Sequence, residues 1–220
     1  MIELVEYFIS LEGEGMSTGL PTWFIRFPGC NLNCEWCDTE KEKKIEIKEE
    51  SLIEIINKTD IGRICFTGGE PLLNEEKLLT IMKGLHFNSF SVQTNGTIYP
   101  KHDETIEMID EWSISPKLIT SGSRRDDEIV KKLIFAVHEA GNFAELKFVF
   151  QCIEDLNDLV LFIQEHRDFL EMFLTPVILQ PVWGVNCGRL IQDDVCEILR
   201  KFPEIHLRVM IQTHKVLGFR

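Results

Sequence analysis

The chain has 220 residues, of which 44% are hydrophobic and 27% charged, a balance typical of a globular protein that buries one sizeable core. Its 36 acidic and 23 basic side chains give a formal net charge of −13, which repels phosphate backbones and disfavours a general nucleic-acid binder. No run approaches the roughly 20 apolar residues of a membrane span, and the N-terminus carries acids where a signal peptide has basic residues. We therefore expect a soluble cytoplasmic protein that contacts neither nucleic acid nor membrane.

Apolar runs alternate along the chain with stretches of helical periodicity. The runs predict strands at 23–27, 63–67, 90–94, 112–115, 145–150, 177–180 and 206–211. The periodic stretches predict helices at 50–58, 75–84, 126–140, 155–166 and 192–201. Asn74 and Asp155 suit helix N-caps, and Gly84 and Gly141 suit helix ends. This alternation predicts an α/β fold with a largely parallel sheet.

Polar, glycine or proline segments follow five of the predicted strands directly. These segments begin at residues 28, 67, 94, 115 and 180. Because the carboxyl ends of parallel strands meet at one edge of a sheet, we expect these segments to line one site. This convergence favours a closed or partial barrel, and 220 residues with about six core parallel strands predict a shortened one.

Three of the seven cysteines, Cys30, Cys34 and Cys37, form a C-x3-C-x2-C cluster. The odd total and the clustering indicate a metal or redox site in a reducing compartment rather than a disulfide scaffold. Structural zinc commonly has four ligands, and a cubane iron–sulfur cluster has four irons to ligate. Three cysteines leave one iron free for another ligand, which is typical of a catalytic cluster, and an inert loop is the alternative. The scattered cysteines are expected to be small buried side chains: Cys65, Cys152, Cys187 and Cys196.

The cysteine pattern, followed by Thr67-Gly68-Gly69-Glu70-Pro71, resembles the radical S-adenosylmethionine (SAM) superfamily. The resemblance implies a 4Fe–4S cluster whose open iron binds the amino and carboxylate groups of SAM. It also implies that the Gly-Gly-Glu segment contacts the methionine part of SAM, which suits glycines because they let the backbone approach closely. We therefore expect a single radical SAM domain over 1–220, with the cluster loop near 28–39 and a C-terminal extension on the substrate side near 206–220.

Seven further strings resemble the 7-carboxy-7-deazaguanine synthase family over nearly the whole chain. They are LEGEG at 11–15, FIRF at 24–27, GCNL at 29–32, WCDT at 36–39, SPK at 115–117, QP at 180–181 and QTHK at 212–215. The resemblance implies ring contraction of 6-carboxy-5,6,7,8-tetrahydropterin to 7-carboxy-7-deazaguanine, with release of ammonia, in queuosine or related deazapurine biosynthesis. It implies the 4Fe–4S cluster, SAM and Mg²⁺ as cofactors, a homodimer, and an electron donor such as flavodoxin or ferredoxin.

The same resemblance assigns roles to individual residues but no catalytic side chain, because the cluster and the SAM radical carry the chemistry. The metal ligands are Cys30, Cys34 and Cys37 for the cluster and Thr39 for Mg²⁺. The residues that bind SAM are Gly69, Ser115, Pro116, Lys117, Gln180, Pro181, Val182 and Trp183. The residues that bind the pterin are Leu11, Glu12, Gly13, Arg26, Thr67 and Arg220, the last through its terminal carboxylate.

Several of these residues have alternative interpretations. Glu12 stands where the family is expected to have Gln, and an ionised carboxylate cannot donate as an amide does. Arg26 has the geometry to grip a substrate carboxylate, and a structural salt bridge is the alternative. Glu14 is either an exposed acid in a tight turn or a residue that supports the site. His214 and Cys187 have no assigned role.

Two other functions share parts of this pattern. A glycyl-radical enzyme activase has the same cysteine spacing and Gly-Gly-Glu segment, but the strings at 11–15 and 37–39 argue against it. A non-catalytic, zinc-stabilised binding protein would use the cysteines for structure alone.

Overall fold

Strands and helices alternate along the chain, as the sequence predicts. The computed structural model describes residues 1–86, 89–185 and 192–219. Its strands are β1 (Ile2–Leu4), β2 (Glu6–Leu11), β3 (Pro21–Phe27), β4 (Ile45–Ile47), β5 (Arg63–Gly68), β6 (Ser89–Thr94), β7 (Glu111–Ile114), β8 (Phe143–Phe150), β9 (Val177–Pro181) and β10 (Leu207–Val209). Its helices are α1 (Glu49–Asn57), α2 (Glu75–Gly84), α3 (Asp103–Met108), α4 (Asp127–Glu139), α5 (Ile153–Phe173), α6 (Gln192–Lys201) and α7 (Thr213–Leu217).

One large sheet organises the molecule, with the strand order β10-β9-β8-β7-β6-β5-β3-β2. All its pairings are parallel except that of β2 with β3, which is antiparallel. The short strands β1 and β4 form a separate antiparallel pair. The α/β class and the largely parallel sheet are thus confirmed. No pairing between described strands joins β2 to β10, so the described sheet is open, as a partial barrel is.

The strands are apolar because most are covered on both faces. In β5, Ile64, Cys65 and Phe66 follow one another, and all three are fully buried. Such continuous apolar runs are typical of parallel strands with helices on their faces. The helices cover the sheet with a stripe of apolar side chains. In α4 this stripe consists of Val130, Leu133, Ile134 and Val137, all buried. No described helix is long and apolar enough to cross a membrane.

The predicted helix ends are partly correct. α2 ends at Gly84, and Gly141 follows the end of α4 with a positive φ of 77°, which glycine adopts without strain. Asn74 is the N-cap of α2, but its side chain makes no capping hydrogen bond. The prediction that Asp155 caps α5 is wrong, because that helix begins at Ile153, its N-cap is Cys152, and Asp155 lies in its first turn.

The scattered cysteines differ from one another in burial. Cys65 is fully buried, as predicted, whereas Cys152 and Cys196 are only half-buried, so the prediction is wrong for these two. Cys187 lies outside the described residues. Every described cysteine is free.

Candidate functional site

A cavity of about 470 Å³ opens where the loops that follow the strands converge. Its lining residues extend from β2, at one edge of the sheet, to the segment after β10, at the other edge. Almost every residue that the sequence predicts for the site lies in its wall: Leu11, Glu12, Gly13, Arg26, Cys30, Cys34, Cys37, Thr39, Thr67, Gly69, Ser115, Lys117, Gln180, Pro181, Val182 and Trp183. Pro116 is buried and does not line the cavity, and Arg220 lies outside the described residues.

The three clustered cysteines reach this cavity from the loop after β3. None of them is in a disulfide. The sulfur of Cys30 accepts hydrogen bonds from the Leu32 N–H at 3.4 Å and the Asn95 side-chain amide at 3.9 Å. The Cys34 thiol donates to the Ser123 hydroxyl at 3.7 Å, and as a thiolate it would accept from the same group. Three free sulfurs in one wall, two of them beside polar hydrogens, form a donor set that fits an iron–sulfur cluster.

The glycine segment after β5 packs directly on the cysteine loop. A Cβ atom at Gly69 would lie 1.7 Å from the backbone oxygen of Gly29, so no larger residue fits this position without moving the backbone. The neighbouring Glu70 N–H donates to the same Gly29 oxygen at 2.9 Å. The segment therefore fixes the start of the cysteine loop and leaves bare backbone facing the cavity.

Glu70 ties the loops after β5 and β6 together from inside the protein. Its fully buried carboxylate accepts from the Asn95 N–H at 2.7 Å, the Thr94 hydroxyl at 2.8 Å and the Leu72 N–H at 3.1 Å. Burial raises the pKa of Glu70, and the hydrogen bonds from these donors act in the opposite direction. Glu70 therefore has a structural role: it links the two loops from behind the residues that face the cavity.

The part of the cavity wall that includes Ser115 and Gln180 contains buried polar atoms without a hydrogen-bond partner among the described residues. The Lys117 ammonium donates to the Ser115 hydroxyl at 3.0 Å and lies 5.6 Å from the centre of the Trp36 ring. Burial lowers the pKa of Lys117, and the nearby Cys34 acts in the opposite direction. Among the described residues, the Trp36 indole N–H and the Gln180 side-chain oxygen are buried without a hydrogen-bond partner. Since buried polar atoms are normally paired, these two favour a bound polar ligand.

Glu12 faces the cavity from the loop after β2. Its carboxylate accepts from the N–H groups of Gly13 at 3.0 Å and Glu14 at 3.2 Å, and from the Gln93 side-chain amide at 3.3 Å. Gln93 in turn accepts from the Thr67 hydroxyl at 2.8 Å. Burial raises the pKa of Glu12 to about 7, against the opposing charge of Lys147. Near neutral pH, part of the Glu12 population is therefore protonated and able to donate, as the expected Gln would.

Glu14 is not an exposed acid, which decides between its two interpretations. It forms a close ion pair with Lys147, whose side chain is only 7% exposed, and it accepts from the Gln212 amide at 2.6 Å. Burial alone would raise the pKa of Glu14, but the Lys147 charge and hydrogen bond outweigh it and lower the pKa to about 2. Glu14 therefore supports the cavity wall as a permanent anion.

Arg26 is paired within the protein. Its guanidinium Nε lies 3.0 Å from the Glu6 carboxylate, and Glu6 faces it directly in the β2–β3 pairing. The salt bridge named as the alternative is thus present. Both residues line the cavity, and the Arg26 side chain remains 21% exposed, which leaves its outer face open to a ligand.

The C-terminal segment closes one side of the cavity. The Thr213 N–H donates to the Gly13 oxygen at 2.9 Å, and the His214 ring lies so close that Gly13 has no room for a Cβ. Lys215 forms an ion pair with Asp38 in the cysteine loop, and its ammonium lies 5.8 Å from the centre of the Trp183 ring. Residues of the C-terminal segment therefore line the cavity beside Gly13 and the cysteine loop.

No individual role was predicted from the sequence for four residues that line the cavity: Gln93, Asn95, Lys147 and Gln212. Of these, Asn95 lies in a segment that was expected to line the site, and Gln212 lies in the family string at 212–215. A signal for Lys147 was available, because polar and apolar residues alternate from Glu145 to Phe148. Leu146, Phe148 and Phe150 face the core, so one face of β8 is left for the cavity.

Comparison with known proteins places this fold and site in a class. Residues 24–141, more than half of the chain, match the radical SAM superfamily. The structure is similar to the crystal structure of QueE from Escherichia coli, with a TM-score of 0.67 over 97% of this chain and 94% of that one; at 22% identity this likeness concerns the fold. It is also similar to native anSMEcpe with bound AdoMet, with a TM-score of 0.57 and 15% identity over 88% of this chain and 65% of that one.

Curated relatives narrow the class to a family. A 7-carboxy-7-deazaguanine synthase of Aquifex aeolicus is 38% identical over 218 residues, which cover 94% of this chain and 92% of that protein. One of Archaeoglobus fulgidus is 27% identical and covers 99% of this chain and 98% of that protein. The chain belongs to the 7-carboxy-7-deazaguanine synthase family of radical SAM enzymes. This membership decides against the glycyl-radical activase and the zinc-stabilised binding protein.

Proposed function

We propose that this chain converts 6-carboxy-5,6,7,8-tetrahydropterin to 7-carboxy-7-deazaguanine and ammonia, for queuosine or related deazapurine biosynthesis. The observation that carries the proposal is that one cavity joins the three free cysteines, the Gly-Gly segment and the polar wall around Glu12. A radical reaction on a small polar ring needs such a joint site, because cofactor and substrate must meet inside it.

The cofactor side is formed by the cysteine loop and its neighbours. Cys30, Cys34 and Cys37 would hold the 4Fe–4S cluster, which, when bound with SAM, supplies the radical that removes a hydrogen atom from the substrate. Gly69 offers bare backbone to SAM, and Ser115, Lys117, Gln180 and the residues after it would complete the SAM site. The unpaired Gln180 oxygen supports this assignment, since it can accept from the amino group of SAM. Pro116 would act from behind this wall, by fixing the backbone between Ser115 and Lys117.

The substrate side is formed by the opposite wall. Glu12 and Thr67, linked through Gln93, present a row of donors and acceptors that suits the amino-pyrimidinone edge of a pterin. Arg26 would grip the substrate carboxylate with the part of its guanidinium that Glu6 leaves open. Leu11 and Gly13 would contact the ring.

Magnesium would lie at Thr39, beside the substrate carboxylate. A hydroxyl oxygen is a hard ligand, and Mg²⁺ prefers oxygen ligands together with substrate oxygens and water. Thr39 lines the cavity two residues after Cys37, so a metal ion that it held would share the cavity with the cluster. Its charge would orient the substrate carboxylate during the rearrangement.

We further infer a cytoplasmic homodimer that receives electrons from a flavodoxin or ferredoxin. The free state of the described cysteines supports a reducing compartment. The chain would function as a single radical SAM domain over 1–220.

The proposal is tested by anaerobic incubation of the iron-loaded chain with SAM, dithionite, magnesium and the carboxy-tetrahydropterin. We expect 7-carboxy-7-deazaguanine to form with SAM largely unconsumed, and less of it when magnesium is omitted or Thr39 is changed to Ala. Cys34→Ala should abolish product and iron retention, whereas the matched control Cys196→Ala, on α6, should retain both. An iron-loaded wild-type chain that cleaves SAM but leaves the pterin unchanged would refute the substrate assignment.

A further inference from the structure

Two polar side chains without a role so far approach the sulfur atoms of the cysteine cluster. The side-chain nitrogen of Asn95, just after β6, lies 3.9 Å from the sulfur of Cys30. The hydroxyl oxygen of Ser123, in the loop between β7 and α4, lies 3.7 Å from the sulfur of Cys34. Hydrogen bonds to sulfur in this range of distance are weak singly, but they act on the atoms that would carry the cluster's charge.

The orientation of the Asn95 amide is fixed by its other contacts. Its oxygen accepts from the N–H of Thr97 at 2.9 Å and from the Thr97 hydroxyl at 2.6 Å. Its nitrogen also donates to the Asn31 side chain at 2.8 Å, and its backbone N–H is held by Glu70. Because the oxygen is committed to donors, the nitrogen is the atom that faces Cys30.

Ser123 is held equally firmly. Its N–H donates to the Ser121 hydroxyl at 3.1 Å, and the Ser121 backbone oxygen accepts from Glu35, the neighbour of Cys34, at 3.0 Å. The same turn is anchored to α5, because the Thr120 N–H and hydroxyl both donate to the fully buried Asp155. The turn and the cysteine loop therefore keep a fixed distance, and the Ser123 hydroxyl is free to rotate its hydrogen toward a thiolate.

We propose that Ser123 and Asn95 are positioning residues that set the reduction potential of the cluster through hydrogen bonds to Cys34 and Cys30. The inference rests on the proposed function only in that these cysteines hold a 4Fe–4S cluster. A donor beside a cluster sulfur stabilises the additional negative charge of the reduced state and so raises the potential. The Cys37 sulfur faces the Thr39 backbone oxygen at 4.0 Å, which cannot donate. The stabilisation is thus directed to two of the three ligands.

The test is a redox titration of the iron-loaded full chain, followed by electron paramagnetic resonance, without SAM or pterin. Ser123→Ala should shift the midpoint potential to more negative values, with unchanged iron and sulfide content. We expect the ratio of reduced to oxidised cluster at a fixed potential to fall by up to about tenfold, which is about 59 mV for a one-electron couple. Ser123→Thr keeps the hydroxyl and should retain the wild-type potential. Thr80→Ala is the matched control, because its hydroxyl bonds only to its own helix at Glu76.

A second variant tests the other sulfur. Asn95→Asp keeps the size of the side chain but replaces the donor with an acceptor, so its potential should shift in the same direction and further. An unchanged potential in both Ser123→Ala and Asn95→Asp, with intact clusters, would overturn the proposal. So would a folded Ser123→Ala chain that loses its iron, since the hydroxyl would then retain the cluster rather than tune it.

These outcomes are separate from those of the proposed function. A wild-type chain that binds no cluster would refute the radical SAM assignment itself. A chain whose potential shifts as expected, but which does not convert the pterin, would leave this inference standing and refute only the substrate.

Discussion

At the scale of single residues, Glu12 makes stability depend on pH. Burial raises its pKa from 4.5 to about 7, so the folded chain holds this proton more tightly than the unfolded chain. The stabilising effect is complete below about pH 4.5 and is lost as the pH rises through about 7. Glu12→Gln keeps the acceptor oxygen but cannot ionise. Its stability relative to wild type should therefore increase by on the order of 2 kcal/mol between pH 5 and pH 8.

Urea unfolding of both chains at the two pH values measures this difference. Glu50→Gln removes an exposed acid at the start of α1 and is the matched control for the loss of one carboxylate. If Glu12→Gln and wild type differ equally at pH 5 and pH 8, then Glu12 is already ionised in the folded chain at pH 5.

A second residue-scale prediction concerns the buried pair of Glu14 and Lys147. Removing one partner leaves the other charge buried and unpaired, which typically costs about 3–5 kcal/mol. Glu14→Gln should therefore destabilise the chain by about that amount at pH 7, measured by urea unfolding. The double variant Glu14→Gln/Lys147→Met removes both charges and should recover most of the loss. A fully stable Glu14→Gln chain with weakened pterin binding would show instead that Glu14 acts on the substrate directly.

At the scale of elements, the sequence predicts the parallel strands well and the short or peripheral ones poorly. The strands β3 and β5 to β10 were each predicted, because they are rich in apolar residues, although β8 and β10 also contain charged ones. β2 was missed because it pairs at the sheet edge, and most of its residues are half-buried, so it shows no alternation. β1, β4 and α7 span three to five residues, too few for a periodic pattern.

The same reasoning explains which parts of the site could be predicted. Residues directly after strands, such as Cys30, Gly69 and Ser115, were found because strand ends converge in parallel sheets. Contacts such as that of Thr213 with Gly13 join positions about 200 residues apart, and neither segment carries a local sign of the other. Helix α5 shows a third limit: its backbone is non-helical at His166, where the periodicity ends, although the helix continues to Phe173.

Helix α7 provides a prediction at this scale. Lys215 holds it to the cysteine loop through Asp38 and to Trp183 through a ring contact. Both contacts are partly exposed, so together they stabilise the packing of α7 against the cysteine loop by about 1 kcal/mol. Lys215→Met should therefore speed amide hydrogen exchange at 213–217 and 36–39 by roughly fivefold. Lys58→Met, which breaks an exposed pair on α1, should leave exchange in both segments unchanged. Equal rates in Lys215→Met and wild type would mean that the contacts of Gln212 and Thr213 hold the segment alone.

At the scale of the whole molecule, charge is distributed unevenly. The chain carries a net charge of −13, yet its cavity wall has as many basic as acidic residues. The basic residues are Arg26, Lys41, Lys117, Lys147 and Lys215, and the acidic residues are Glu6, Glu12, Glu14, Asp38 and Glu40. This local balance lets the pterin carboxylate approach a protein whose remaining surface would repel it, whereas the net positive charge of SAM is attracted by that surface.

The residues that line the cavity come from elements between β2 and α7, near the two ends of the chain. A ligand that binds there should therefore stabilise the folded state of the whole chain. A ligand at a concentration of 100 times its Kd adds about 2.7 kcal/mol when it binds only the folded state. For a chain of this size, that corresponds to a rise in Tm of roughly 5–10 °C. We expect SAM to produce this rise only in the iron-loaded chain, since in the proposed function the open iron of the cluster would be its main anchor. Anaerobic calorimetry of wild type, Cys34→Ala and the control Cys196→Ala measures it. A similar rise in iron-free Cys34→Ala would show that SAM binds through the Gly69 and Gln180 walls without the cluster.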